Sequence, residues 1–204
     1  MKLRLWLATA TLVTLSIPGL MAQEAKPATT AAPSADAKAM MDAWMKAATP
    51  GDAQKKLSPM VGSFNVSVKS WMAPGAPPME STGTSENTWA LDNRYVEQRF
   101  SGSFMGMPFK GIGFTGYDNI KKKYVGSWMD NMSTAIMVSY GSADAGGKSI
   151  KFTSTMDDPM TGKPTQVDET VTVTDDDHHS LEMWGAGPDG KMFKTMEIAY
   201  SRKK

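Results

Sequence analysis

Beyond Gly62 the chain alternates short β-prone runs with turn-forming residues as far as its C-terminus. Runs rich in Val, Ile, Thr, Tyr, Phe and Trp that are bounded by Gly, Pro, Asn and Asp clusters are typical of β-strands. The pattern predicts ten strands, over residues 62–72, 82–91, 94–104, 108–118, 123–130, 133–142, 148–156, 166–174, 179–185 and 191–202. The connections are too short for crossover helices, so each strand is expected to pair antiparallel with the next.

A meander of ten antiparallel strands leaves two edges exposed unless it closes on itself. Closure removes both edges. The sequence therefore predicts an all-β fold, an antiparallel up-and-down barrel of about ten strands, with a flat sandwich as the alternative.

A different pattern precedes the strands. Lys2 and Arg4 are followed by an apolar stretch over residues 5–17, a Pro18-Gly19 break and the small residue Ala22. This order is typical of a secretory signal peptide cleaved after Ala22, and the apolar stretch is shorter than the roughly 20 residues that span a bilayer. We therefore predict export to the periplasm or the exterior, with a membrane anchor as the alternative.

The rest of the N-terminal region divides by composition. Residues 23–35 are rich in Ala, Pro, Thr and Lys, and this composition predicts a disordered linker. Residues 36–54 are expected to form an N-terminal helix, with Met40, Met41 and Trp44 on one face, that packs on the domain or lies on another surface. Residues 55–204 form the predicted barrel domain.

Composition and charge exclude several classes of function. The 204 residues contain no cysteine, which excludes disulfide scaffolds, thiolate metal sites and cysteine nucleophiles. With 22 Lys and Arg against 21 Asp and Glu, and no basic run longer than residues 121–123, the chain lacks the charge pattern of nucleic-acid-binding proteins. The paired histidines His178 and His179 are predicted to lie in a turn at the barrel rim, where a solvated turn is favoured over a metal site. A position at the rim disfavours haem ligation, and no cofactor is predicted.

Two features of the central strands suggest a site. Gly111, Gly113 and Gly116 alternate with larger residues, which indicates either a barrel corner or a gap that admits a ligand. Asp118 and Asp130 each end a strand and are predicted to lie near one hairpin, where two carboxylates are either turn residues or an acid and base pair.

Methionine is unusually frequent, with 18 residues. Methionine fills core space in place of leucine, and its thioether is also a soft ligand for copper(I). Because the methionines are scattered through the strands, core filling is favoured, and copper(I) or oxidant handling is the alternative.

Five motifs resemble those of a bacterial family of domains of unknown function, DUF1579. They are WALDNRY at 89–95, GIGFTGYD at 111–118, KYVGSWMD at 123–130, DPMTGK at 158–163 and MEIAYSR at 196–202. In addition, LSPMVGSF at 57–64 resembles the start of calycin barrels, the group of lipocalins and fatty-acid-binding proteins, with Phe64 in place of their tryptophan. The resemblance implies a calycin-like barrel and no assigned activity.

Together these features predict non-catalytic binding of a small apolar or amphipathic molecule. The residues expected to contact it are Arg94, Arg99, Tyr117, Trp128 and Asp130. If Tyr95, Glu97 and Arg99 face inward, the site suits a ligand with an acidic head. An enzyme with its site near Trp128 and Asp130 is a third possibility, and no catalytic or metal-binding residue is assigned.

Overall fold

A computed structural model describes residues 34–159 and 161–204, in which ten antiparallel strands close into a barrel. The strands are β1 (Gly62–Ser70), β2 (Met79–Ala90), β3 (Tyr95–Phe104), β4 (Met107–Asp118), β5 (Lys123–Asp130), β6 (Met137–Ala143), β7 (Ser149–Asp157), β8 (Pro164–Val173), β9 (His178–Ala186) and β10 (Met192–Arg202). Each strand pairs with its sequence neighbour, and β1 pairs with β10 from Phe64 opposite Arg202 to Ser70 opposite Met196. The predicted ten-stranded meander and its closure are confirmed.

Two helices and a 3₁₀ turn precede the barrel: α1 (Ala35–Ala48), α2 (Asp52–Lys55) and the turn at Ser58–Met60. Helix α1 begins where the Ser34 hydroxyl accepts a hydrogen bond from the Ala37 amide, at 3.2 Å. The single helix expected over 36–54 is divided because Pro50 cannot continue the hydrogen-bond ladder of a helix. The predicted signal peptide and most of the linker lie outside the described residues.

Helix α2 and the 3₁₀ turn close one end of the barrel. Leu57 between them is fully buried and packs with Val96, Tyr124 and Ile150. The Tyr124 hydroxyl donates to the Ala53 carbonyl at 3.1 Å, which ties α2 to β5. We call this end, where β1 begins, the capped end, and the opposite end the open end.

Burial and cross-strand register identify the side chains that face the barrel interior. On β1 the buried residues are Phe64, Val66 and Val68, and alternate residues of each paired strand share their face. The apolar interior forms two clusters, and Leu181 packs against both. The cap cluster contains Leu57, Val96, Tyr124, Ile150, Phe152 and Val171, and the β1 cluster contains Phe64, Val66, Val68, Phe100 and Tyr200.

Helix α1 does not pack its apolar face on the barrel. None of its residues is buried, and Met40, Met41, Trp44 and Met45 are each 58–68% exposed. Its last turn is held by the Asn119 amide, which donates to the carbonyls of Ala47 and Thr49 at 2.9 and 2.8 Å. The helix therefore contributes little to the barrel core.

Candidate functional site

Trp128 and Asp130, at the open end of β5, both face the interior. The indole Nε1 of Trp128 donates to the carboxylate of Asp130 at 3.0 Å, and the same carboxylate accepts from the Met132 amide at 2.9 Å. The ring of Phe109 lies nearly parallel to the indole, with 6.5 Å between the ring centroids. The open end thus has an aromatic wall with one polar edge.

The glycines of β4 are explained by this indole. A Cβ atom on Gly111 would lie 2.1 Å from the Trp128 ring, and one on Gly113 would lie 2.9 Å from it. On the outer face, a Cβ on Gly116 would meet the Tyr95 ring at 2.5 Å. The glycines of β4 therefore do leave the predicted gap beside the strand. The rings of Trp128 and Tyr95 fill it, so it is not open to a ligand.

Tyr117 faces inward at the other end of β4, under the cap. Its ring contacts that of Tyr124 at 5.0 Å between centroids, and its carbonyl accepts from the Gln54 amide at 3.1 Å. Burial raises the pKa of Tyr124, and the charge of Tyr117 adds to that shift. Tyr117 is thus part of the capped end and is distant from Trp128.

The expected proximity of Asp118 and Asp130 is wrong. Asp130 lies opposite Gly111 and Asp118 lies opposite Lys123, so the two are separated by the length of the hairpin, about 24 Å for seven residues of strand. Successive antiparallel strands end at opposite ends of a sheet, which prevents these carboxylates from acting as one acid and base pair.

Both predicted arginines lie outside the interior. Arg99 is on the outer face of β3, where its guanidinium lies 2.5 Å from the Glu97 carboxylate. Arg94, in the turn after β2, donates to the Leu91 carbonyl at 3.1 Å. Consequently Val96, Gln98 and Phe100, and not Tyr95, Glu97 and Arg99, are the inward set of β3.

Sequence reasoning missed a group of buried polar residues, with the half-buried Gln98, that line the interior. We call them the interior polar set: Ser85, Asn87, Gln98, Ser139, Ser154 and Glu169. The Gln98 amide donates to the Ser85 hydroxyl at 3.0 Å and to the Tyr200 hydroxyl at 3.1 Å. Ser85 donates to the Asn87 amide oxygen at 2.7 Å, and Asn87 donates to the Met60 carbonyl at 2.8 Å. These bonds link the 3₁₀ turn of the cap to the middle of the barrel.

Glu169 is the most costly member of this set to bury. It is 7% exposed, and its side-chain partner is the Ser139 hydroxyl. Burial raises the pKa of Glu169, which the Ser139 hydrogen bond offsets in part. Burial raises the pKa of Tyr200 to about 12, and the charge of Glu169 adds to the shift of Tyr200.

The expectation that both histidines lie at the rim is wrong for His179. His178 is exposed and its Nδ1 atom lies 2.8 Å from the Asp175 carboxylate. His179 points inward at 4% exposure, with its ring stacked on Tyr200 at 4.2 Å and Phe64 edge-on at 4.7 Å. Burial and the Arg202 charge lower the pKa of His179 to about 4, and its Nδ1 has no hydrogen-bond partner among the described residues. Strand alternation reverses the direction of consecutive side chains, which separates the pair.

A sequence signal for these buried polar residues exists. Glu169 is in phase with Val167 and Val171, and Gln98 is in phase with Val96 and Phe100. A polar residue in phase with the apolar face of a strand is expected to be buried. Such phasing identifies the inward face only when the apolar neighbours are unambiguous, as they are in β3 and β8.

Within residues 34–159 and 161–204, no group of three or more His, Asp or Glu side chains is arranged to hold a metal ion. In the same part of the chain, no helix has the length and apolarity that a bilayer crossing requires.

Comparisons with known proteins agree with the barrel. The family model described as a protein of unknown function, DUF1579, matches residues 49–202. The crystal structure of Rv2717c from M. tuberculosis superposes with a TM-score of 0.54 at 15% identity, over 76% of this chain and 100% of that one. A redesigned β barrel matches with a TM-score of 0.37 at 13% identity, over 74% of this chain and 96% of that one. A comparison with curated proteins finds no match. At 15% identity, the similarity to Rv2717c shows the fold alone.

Proposed function

The chain belongs to the DUF1579 family, and from the geometry of its barrel we propose that it binds a small apolar or amphipathic molecule without transforming it. The observation that carries this proposal is the aromatic wall at the open end. Trp128 and Phe109 offer apolar area there, while the indole nitrogen and Asp130 supply a polar edge. Concave sites commonly combine large rings with a few placed polar groups.

Access from the open end is supported by how the two ends differ. The cap buries Leu57 and bonds to the strands, whereas clefts of about 110 and 230 Å³ lie at the open end. The smaller is lined by residues that include Met79, Phe104 and Met105, and the larger by Trp71 and Phe193. Known ligand sites are commonly about 300–1,000 Å³, so binding requires inner side chains to move. Trp128 is the side chain expected to move, because the strand beneath it presents Gly111 and Gly113.

The signal-peptide pattern at residues 1–22 supports a further part of this proposal, namely that the protein acts outside the cytoplasm. N-terminal sequencing of protein recovered from its native host should begin at Gln23. Recovery of chains that retain Met1 in a membrane fraction would overturn this part and leave the binding proposal standing.

Tryptophan fluorescence tests the binding proposal. Titration with 1-anilinonaphthalene-8-sulfonate or dodecanoate should change the emission of Trp128 in a saturable way. In Trp128→Phe the change should be lost, whereas Trp184→Phe, which alters a tryptophan on the outer face of β9, should retain it. Saturable binding that is identical in Trp128→Phe would place the ligand elsewhere, and no saturable binding by a well-folded sample would contradict the proposal.

A second candidate function, methionine-based copper(I) or oxidant handling, is favoured by the distribution of the exposed methionines. Each of the five connections at the open end carries or adjoins one. These residues are Met72, Met79, Met105, Met107, Met132, Met156 and Met192, each 37–66% exposed. Met79 and Met105 line the same cleft. These methionines are scattered along the sequence but lie at one end of the barrel, because alternate loops of a meander lie at the same end.

Copper(I) titration in competition with bathocuproine disulfonate tests this candidate. The chain should hold copper(I) against the competitor, and Met79→Leu with Met105→Leu should weaken binding at least tenfold, since leucine keeps the volume and removes the thioether. Met40→Leu with Met41→Leu, on helix α1, is the matched control and should change nothing. Equal binding by both double variants would contradict a site at this cleft.

A further inference from the structure

The interior of the barrel has a one-sided charge pattern. Among the inward positions of the described strands, the carboxylates are Asp130 and Glu169, and the single cation is Arg202 at the capped end. The Arg202 guanidinium donates there to the carbonyls of Val61, Pro59 and Asp176, at 2.6–3.0 Å. It also contacts the Asp177 carboxylate at 3.1 Å. Between the cap and the open end, the inner wall therefore carries only negative formal charge.

Glu169 lacks the partner that a buried carboxylate ordinarily has. An ionised carboxylate has about four lone-pair sites, and Ser139 provides one hydrogen bond. No lysine or arginine of the described residues forms an ion pair with it, although buried charges are usually paired. On the neighbouring strand, Phe152 stands directly opposite Glu169 and is buried in the cap cluster.

Aromatic rings accompany these carboxylates along the inner wall. At the open end Trp128 donates to Asp130 and stacks on Phe109. Further in, Phe152 stands opposite Glu169, whose charge also acts on the buried Tyr200. The face of an aromatic ring attracts a cation, and this attraction strengthens when water is excluded. Carboxylates and aromatic faces without a competing cation are the chemistry that recognises an organic ammonium group.

His179 provides an additional unsatisfied group in the same interior. It is 4% exposed, its Nδ1 has no protein partner, and it stacks on the same Tyr200 ring. Buried polar atoms without partners are rare in folded proteins and need an explanation. A ligand that brings a polar group into this part of the barrel would give the His179 Nδ1 atom a hydrogen-bond partner.

We propose that the ligand is an amphipathic amine, whose ammonium group is attracted by Asp130 at the open end and held by Glu169 in the interior, with its apolar part along Trp128 and Phe109. This inference rests on the proposed binding function and names the class of its ligand. It reverses the acidic head group expected from sequence, because the arginines on which that expectation depended lie outside the barrel.

A matched pair of probes tests the sign of the charge. Dodecylamine and dodecanoate share a twelve-carbon chain and carry opposite charges at pH 7. Isothermal titration below their micellar concentrations, with the full chain, should show dodecylamine binding at least tenfold more tightly than dodecanoate. Equal affinity, or preference for dodecanoate, would overturn the amine assignment while supporting the proposed binding function. Absence of saturable binding by both probes would overturn both.

Variants locate the charge that is responsible. Glu169→Gln keeps the size of the side chain and removes the charge, and it should weaken dodecylamine binding at least tenfold without weakening dodecanoate. Asp168→Asn is the matched control, because Asp168 is the adjacent residue on the outer face of β8, bonded to Thr153 and Gln166. Asp130→Asn should give a smaller loss for dodecylamine. Equal loss in Glu169→Gln and Asp168→Asn, with both proteins folded by circular dichroism, would refute anchoring at Glu169.

Discussion

Trp128 and the glycines of β4 act as one packing unit at the residue scale. The indole lies over Gly111 and Gly113 at distances that no Cβ atom tolerates, and its nitrogen is held by Asp130. Glycine ordinarily weakens a strand interior, so its presence here is explained by the approach of the ring.

Gly111→Ala should destabilise the barrel by about 1–3 kcal/mol, because the added methyl group overlaps the indole. Urea denaturation measures the change. Combining it with Trp128→Leu should recover part of the loss, since neighbouring substitutions are not additive. Gly146→Ala, in a turn where the nearest atom lies 3.8 Å from the added Cβ, should be close to neutral. Similar losses in both single variants would contradict this account.

His179 makes stability depend on pH. Its pKa is lowered to about 4 in the folded state, below an ordinary value of 6.5, so the unfolded chain binds the proton more readily. The stability that the neutral, buried imidazole contributes is present above pH 6.5. It is lost as the pH falls from there through about 4. Relative to His179→Gln, the wild-type chain should therefore lose about 3 kcal/mol of unfolding free energy over that range.

Urea denaturation of both proteins from pH 7 to 4 checks this dependence. The difference between them isolates His179, because Glu169 titrates in both. The raised pKa of Glu169 has the opposite sign: its stabilising contribution is present at low pH and is lost as the pH rises. Parallel pH profiles for wild type and His179→Gln would show that the imidazole is accessible to protons in the folded state.

At the scale of elements, the two helices differ in what they do for the barrel. Helix α2 and the 3₁₀ turn bury Leu57 and Gln54 and bond to β4 and β5. Helix α1 buries no residue and is held through Asn119 at its last turn. Stability should therefore depend on the cap and not on α1.

Leu57→Ala should lower the unfolding free energy by about 2–5 kcal/mol, because it leaves a cavity in the cap cluster. Trp44→Ala, in which a 68% exposed ring is removed, should change it by no more than about 0.5 kcal/mol. Thermal denaturation of the two variants beside the wild type distinguishes them. A large loss in Trp44→Ala would mean that α1 packs on the barrel in solution.

At the scale of the whole molecule, the meander makes the two ends chemically different. The four connections at the capped end, over residues 91–94, 119–122, 144–148 and 174–177, contain no methionine, whereas each connection at the open end contains or adjoins an exposed one. Methionine is flexible and readily oxidised at sulfur, so the open end is both the more adaptable and the more oxidisable surface.

Hydrogen peroxide should therefore modify the open end first. Met72 and Met105, at 66% and 62% exposure, should form sulfoxides several-fold faster than Met60 in the cap. Peptide mass spectrometry over a time course measures each rate, and Met41 on α1 provides an exposed reference outside the barrel. Faster oxidation of Met60 than of Met105 would mean that the cap opens in solution.

The amino-acid sequence predicts the strands and the neighbours of each strand. β5 was predicted residue for residue, and the other strands to within four residues at each end, because turn residues interrupt β-prone runs at regular intervals. Antiparallel pairing follows from the short connections, because parallel pairing of sequence neighbours needs a longer crossover.

The end and the face of the barrel that each chemical group occupies depend on the tertiary fold. Strand parity placed Arg99 outside and Glu169 inside, and a shift of one residue would exchange them. The antiparallel order separated Asp118 from Asp130 and gathered methionines that lie far apart in sequence. A local sequence pattern gives the spacing of residues along one strand. The charge of the interior depends instead on the register of ten strands closed into a ring. That register is set by contacts between residues distant in sequence.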